Sequence, residues 1–418
     1  MTHGGTSIWF IAVSVMFGLV VRPWNLPEWI WAVAGAVALV GLGSLSAGEA
    51  LGGVARGTDV YLFLVGMMLM AETAREQGLF DWLAAVATRH ARGSASRLFL
   101  LIYGVGTLVT VFLSNDATAV VLTPAVASVV RAARVKEPLP YLLICAFIAN
   151  AASFVLPISN PANLVVYGAH LPPLLAWLRC YAMPSVASIV VTYLVLRWTQ
   201  RHSLSQEVAG HVEVPALSTG GRMAAAGIVL TAAVLLLASA RDVALGLPTA
   251  ITGALTAAAV LASARRSPRS ILRNLAWGVL PLVAGLFVVV EALKKAGAIE
   301  CLQVAFQQAA RQSASGAAWG GGVLVALACN LVNNLPAGLI AGNITQAGHL
   351  PDKVAGAVLI GIDLGPNLSV TGSLATILWL TALRRDGHHV GALDFLRLGV
   401  WVMPPALVLA IASFLLTN

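Results

Sequence analysis

The fold class predicted here is an all-α polytopic membrane protein of two inverted-topology repeats, each with five transmembrane helices, one re-entrant hairpin and a broken helix. Three observations predict it. First, 59% of the 418 residues are apolar and only 10% are charged, against about 25% charged in soluble domains. Second, the apolar residues fall into about ten to twelve stretches of membrane-spanning length, which leaves almost nothing for a soluble domain. Third, the chain contains itself twice. Glu72, Gly78 and Ser114-Asn115 recur 219 residues later as Glu291, Gly297 and Asn333-Asn334. Asn150 with Ser159-Asn160-Pro161 recurs at an offset of 213 as Asp363 with Gly372-Ser373-Leu374, so one six-residue deletion separates the two frames.

The elements follow in order. Apolar segments run at 7–22, 28–45, 59–75, 97–131, 139–168 and 174–197, and again at 223–240, 247–264, 275–293, 317–344, 354–383 and 392–416. The first of them, Ser7 to Val21, follows no Lys or Arg and closes on no small-residue cleavage site, so it reads as a spanning helix rather than a signal peptide. The polar stretch 199–222 is the one real linker, which divides the chain into a first repeat (1–198) and a second (223–418). After the third helix of each set comes an amphipathic stretch, Gly78–Arg92 and Gly297–Arg311, with the pattern of an interfacial helix. Phe99–Arg131 is too long for one span and carries Ser-Asn-Asp at its middle, so it crosses twice or enters and returns. Either way each repeat makes an odd number of crossings, and the second copy lies upside down.

Charge fixes an orientation. With the 75–97 loop in the cytoplasm, 18 of the 25 Lys and Arg residues lie inside and 7 outside. That positive-inside bias places both termini outside and the linker in the cytoplasm. The net charge of +8 is spread over short loops, so it does not point to nucleic acid. Four cysteines (Cys145, Cys180, Cys301 and Cys329) show no paired spacing and support neither a disulfide framework nor a zinc site. No cofactor is implied.

A helix breaks at lipid depth only beside protein or a water-filled cavity. Four breaks stand out: Ser114-Asn115-Asp116, Pro157 to Asn163, Asn330 with Asn333-Asn334-Leu335-Pro336, and Asp363 to Ser369 with Thr371-Gly372-Ser373. Paired interruptions in matching segments of two repeats point to the substrate site of a secondary transporter. The candidate solute-binding residues are Asn115, Asn160, Asn163, Asn333, Asn334, Asn367, Thr371 and Ser373. With no Lys or Arg in any break, such a site suits a small, polar, uncharged solute better than a strong anion. Asp116 and Asp363 are the acids embedded in the breaks. A carboxyl taken out of water favours its neutral form, so these two are the proton-coupling candidates. Glu72 and Glu291, near helix ends, read as solvated or capping groups. Taken alone, any one Asn/Ser/Thr cluster would read as helix glue. Four in register do not.

These breaks resemble those of the bacterial arsenite/antimonite efflux permeases, the ArsB family of the ion transporter superfamily. The resemblance rests on Asn333-Asn334-Leu335-Pro336, on Ile362-Asp363-Leu364-Gly365-Pro366 running on to Thr371-Gly372-Ser373, and on Asn115-Asp116 followed by Leu122-Thr123-Pro124. It spans the whole chain. It implies a multi-pass carrier of the bacterial inner membrane that expels trivalent arsenic or antimony as the neutral hydroxide in exchange for protons. Some relatives work with a soluble ATPase subunit, and a homodimer is compatible with such a carrier. Two residues depart from the family's pattern: Asn150 stands where an acid is common, and Asn367 where a Lys is common. A sodium/proton antiporter of the same superfamily is the alternative reading, weakened by the scarcity of intramembrane carboxylates. A dicarboxylate carrier would want Ser-Asn-Thr tips around a dianion, and the Ser-Asn-Asp tip here would repel one. An intramembrane aspartyl protease would need neither repeats nor hairpins.

Overall fold

In the computed structural model, residues 3–168, 171–206, 208, 214–348 and 350–418 are described. The first half runs α1 (His3–Val21), α2 (Glu28–Gly41), α3 (Ala47–Arg56), α4 (Thr58–Glu76), α5 (Leu79–Ala91) and α6 (Ala95–Phe112). A tip turns the chain into α7 (Asn115–Ala117), which passes through a π-helical turn, Thr118–Leu122, into α8 (Thr123–Ala132). Then come α9 (Leu139–Ala151), α10 (Pro161–Tyr167) and α11 (Leu174–Thr199). The second half repeats this order with α12 (Thr219–Ser239), α13 (Gly246–Ala264), α14 (Arg269–Asn274), α15 (Val279–Lys295) and α16 (Ala298–Gln312). It ends with α17 (Ala314–Val332), α18 (Asn334–Ala347), α19 (Asp352–Leu364), α20 (Leu374–Arg385) and α21 (Ala392–Thr417). No strand occurs among the described residues.

Six helices (α6, α11, α12, α13, α17 and α21) are long and apolar enough to cross a membrane, and the pair α3–α4, bent by 48°, makes a seventh. Shorter apolar stretches are Thr6–Val21 within α1, α2 and α9, and α9–α10 and α19–α20 are the segments with polar breaks. The chain is a polytopic membrane protein.

The local devices recur in register. Gly78 and Gly297 take left-handed φ of 72° and 76° and turn α4 into α5 and α15 into α16, a conformation glycine adopts without a Cβ penalty. Ser94 and Ser313 cap the outer helix of each hairpin, with Oγ accepting from Arg97 N at 3.3 Å and from Gly316 N at 3.0 Å. The six-residue offset change falls at the base of the second hairpin. There α18 ends at Ala347, equivalent to residue 128 (347 − 219), whereas α8 runs on to Ala132, and the loop that follows is shorter too.

Packing keeps the same symmetry. α4 lies along α13, where a Cβ on Gly66 would meet the Thr249 carbonyl oxygen at 2.2 Å. α15 lies along α2, where a Cβ on Gly285, the residue 219 positions on from Gly66, would meet the Ala32 carbonyl carbon at 2.6 Å. α11 packs against α21, its own counterpart. The return of each hairpin leaves its own half: α18 packs on α10, and the π-turn on α20. The amphipathic pair is less symmetric than its pattern predicts. α16 buries only Ala298 and Ile299, but α5 is wedged against α6 and α8 with Leu79, Phe80, Ala84 and Ala91 buried. Its alanines let it pack closely on that side, while Asp81, Arg89 and His90 stay exposed on the other. The described parts of the linker lie across the same end as the α5–α6 turn: Val208 N donates to Gly93 O at 3.2 Å and Lys136 N to Gln206 Oε1 at 3.1 Å.

Candidate functional site

Each break is held open by its own polar side chains. At the first tip, Ser114 Oγ accepts from Ala117 N at 3.2 Å and Asn115 Oδ1 from Asp116 N at 2.9 Å. The π-turn just beyond it, of a kind frequent at functional sites, is tied to α6 by Thr118 Oγ1 and Thr110 Oγ1 at 2.8 Å. In the fifth segment Asn163 Nδ2 donates to the carbonyls of Ser153 (2.9 Å), Leu156 (3.3 Å) and Pro157 (3.3 Å), and so satisfies backbone that the break would leave bare. Asn160 Oδ1 caps α10 by accepting from Ala162 N at 3.0 Å.

The second half uses different groups for the same tasks. Asn333 sits at φ 73° and caps α18 through Leu335 N (3.3 Å), while Asn334 N donates to Gly372 O at 2.9 Å. Asn330 Nδ2 donates to Gly365 O at 3.0 Å, Ser369 Oγ to Asn330 Oδ1 at 2.7 Å, and Thr371 Oγ1 to Asn330 O at 3.1 Å. Ser373 caps α20, accepting from Thr376 N at 3.1 Å. Four helix N-termini, each with partial positive charge, therefore begin at the breaks.

Buried polar contacts among the breaks join the halves. Asp363 Oδ1 accepts from Ser153 Oγ at 2.6 Å and from Asn160 Nδ2, while Oδ2 is buried with no partner. Asn150 Nδ2 donates to Asn367 Oδ1 at 3.0 Å, and Asn367 Nδ2 donates to Phe147 O at 3.1 Å. The two residues that depart from the permease pattern thus touch. A neutral amide pair stands where the pattern would set opposite charges. Asn160, Asn163, Asn367, Ser373 and Asp363 all lie in this closed polar layer, each at most 2% exposed. Asn115 and Asn334 are also buried, and among the described residues no hydrogen bond joins them. Asn333 and Thr371 keep partial exposure, as does Asp116.

Asp116 faces a cavity of about 80 Å³ with Ser114, Met67 and Glu72 on its wall. The loop 274–276 lies at the rim, and no Lys or Arg lines it. Glu72 corrects the expectation of a solvated helix-end group: it is 8% exposed and held by Arg75, whose Nε donates to Glu72 Oε2 at 2.7 Å. Its repeat partner Glu291 turns away and is held by Arg56 from α3. The signal that could have found Glu72 is its being an acid within an apolar helix, which is a functional candidate by default.

Paired helix breaks, two hairpins and a small acid-bearing cavity between repeats define a membrane transporter. The chain belongs to the citrate transporter family (CitMHS), which matches residues 11–362. The arsenical pump membrane protein of Escherichia coli is 26% identical to it over 370 residues, covering 84% of this chain and 85% of that one. In fold the chain is similar to the YdaH transporter of Alcanivorax borkumensis, with a TM-score of 0.55 at 17% identity over 88% of this chain and 86% of that one. It is likewise similar to MtrF of Neisseria gonorrhoeae, with a TM-score of 0.58 at 12% identity over 99% and 94%.

Proposed function

We propose that the protein exports trivalent arsenite or antimonite, as the small neutral hydroxide, in exchange for protons by alternating access across the bacterial inner membrane. The observation that carries this is the composition of the cavity at the first hairpin tip: a serine hydroxyl, one unpaired and one Arg-held carboxylate, and no cationic wall residue. Its volume has room for several water molecules, which suits a three-hydroxyl solute. A citrate trianion would meet two carboxylates and no cation there. A neutral hydroxide loses no charge solvation on entering and can donate to Asp116. With the two repeats inserted in opposite orientation and the 75–97 loop in the cytoplasm, this cavity opens inward, the side from which an exporter loads. Asn115, Asn160, Asn163, Asn333, Asn334, Asn367, Thr371 and Ser373 hold the solute route and its backbone, and Asp116 and Asp363 carry the proton. Proton exchange of this kind needs neither an ATPase subunit nor a second protomer.

The deciding measurement is uptake into everted vesicles with an imposed pH gradient, acid inside, comparing labelled arsenite, sodium and citrate. Arsenite uptake that collapses with the gradient is expected. Gradient-driven sodium uptake without arsenite uptake would establish the sodium/proton reading instead, and citrate uptake would overturn the neutral-solute assignment.

A further inference from the structure

The short helix α14 differs in charge from its counterpart in the first repeat. Residues 269–274 map by the offset of 219 onto residues 50–55, inside α3. Both charged residues of α3 are paired, Glu49 with Lys295 and Arg56 with Glu291. By contrast, α14 and the turn before it carry Arg265, Arg266, Arg269 and Arg273, all exposed, with no Asp or Glu among them. None of the four enters an ion pair among the described residues. Four like charges so close in the chain repel one another, and an external anion relieves that repulsion. Apolar groups stand beside them. α14 rests on α4, with Ile271 buried and Ser270 Oγ donating to Glu76, but Leu272 and Trp277 are each 44% exposed. Trp277 Nε1 donates to Leu272 O at 2.6 Å, so the two lie together and the ring satisfies its one polar group internally. Trp29 of α2, also exposed, packs at Gly278, where a Cβ would meet its ring at 2.7 Å.

We propose that α14 and the turn before it form a binding site for anionic phospholipid, with the arginines on the phosphodiesters and Leu272 and Trp277 in the acyl region. Clusters of four or more cations just beyond a spanning helix attract anionic headgroups, and tryptophan settles at the same depth. Lipid rather than an acidic protein is the occupant because the cluster starts at the residue after α13, a helix of spanning length and composition, which sets it at headgroup depth. The site also reaches the solute path. α14 runs directly into Asn274, Leu275 and Ala276 at the rim of the Asp116 cavity, so a lipid held on α14 steadies that rim from outside. The lipid site stands on its own observations, and only its effect on flux rests on the carrier reading above.

The test uses the full-length protein, delipidated in detergent, with fluorescent phosphatidylglycerol as the probe. Unlabelled phosphatidylglycerol should compete for the site, and phosphatidylcholine and inorganic phosphate should not. A cation near an anionic surface is worth roughly fivefold, so changing all four arginines to Gln should weaken binding by at least about tenfold. Changing all four to Lys should keep most of it. Removing the same charge elsewhere, through Arg89→Gln, Arg92→Gln, Arg97→Gln and Arg134→Gln, should leave binding unaltered. Because loss of basic residues can also disturb insertion, a second measurement leaves the arginines in place. Leu272→Cys on the cysteine-free chain, carrying a fluorophore in phosphatidylglycerol vesicles, should be quenched by spin labels on the lipid chains. Quenching by aqueous iodide alone overturns the site. Undiminished binding by the four-Gln protein also overturns it and leaves the arginines to an acidic protein, and competition by inorganic phosphate reduces it to a free-anion site. Phosphatidylglycerol binding by a protein that moves no arsenite would instead overturn the solute assignment and leave the lipid site standing.

Discussion

The two repeats share their punctuation and differ in their charge. Ser94 and Ser313, Gly78 and Gly297, Ser114 and Asn333, and Asn160 and Ser373 do the same backbone work at equivalent positions. The acids do not follow suit: Asp116 is matched by Leu335, Asp363 by Asn150, and Glu72 lines the Asp116 cavity whereas Glu291 pairs with Arg56. A fold built twice needs its caps and turns twice, because every interrupted helix leaves backbone groups to satisfy. A solute path is traversed once, and a second set of buried carboxylates would add desolvation cost without a task. Symmetry is thus a property of the scaffold, and asymmetry marks the chemistry.

The sharpest break of this comparison is at Asp116. Asp116→Ala should abolish transport, whereas Asp116→Asn should keep downhill solute exchange and lose its acceleration by a pH gradient, as linkage requires different affinities in the two protonation states. Flux in proteoliposomes with and without a gradient reads both. If Asp116→Asn responds to the gradient like the wild type while Asp363→Asn does not, the coupling acid belongs to the second repeat.

Next come the scaffold twins. Gly66→Val and Gly285→Val each force a side chain into facing backbone, so both should lower stability by about 1–3 kcal/mol or more. Their apparent melting temperatures in detergent should fall together, and a large loss for one with none for the other would show that the scaffold is not symmetric after all. Asn115→Ala and Asn334→Ala should each weaken transport by about 1–3 kcal/mol, roughly 5- to 150-fold, since each removes a buried amide that the solute would pair with at a hairpin tip. Wild-type flux in both purified variants would move the site away from the tips. The smallest effect belongs to the cysteines. Replacing all four should leave most transport intact, because thiolate capture of a soft metalloid would oppose release. A well-folded cysteine-free protein that moves no solute would make thiol coordination part of the cycle.

Much of this was legible in the residues. The offsets located both hairpins, both broken helices and the paired glycine turns, because backbone breaks in lipid can be made by only a few residue types. What was not legible is which way a polar side chain points. Asn163 and Ser373 look like solute ligands in one dimension, yet their side chains hold Ser153, Leu156 and Pro157 and cap Thr376. Glu72 looks like a helix-end carboxylate, and only the approach of the first tip to α4 turns it into a wall of the cavity. The contact between Asn150 and Asn367 spans 217 residues, beyond the reach of any local pattern.

The glycine seams carry a mechanical consequence. Where α4 crosses α13 and α15 crosses α2, main chain lies on main chain, so few side chains mesh like gear teeth. Interlocked leucines must disengage before two helices can pivot, and at the glycines fewer such side chains stand in the way. α4 also carries Phe63, Met67 and Glu72 on the wall of the Asp116 cavity, so a shift of α4 along its seam is felt directly at that wall.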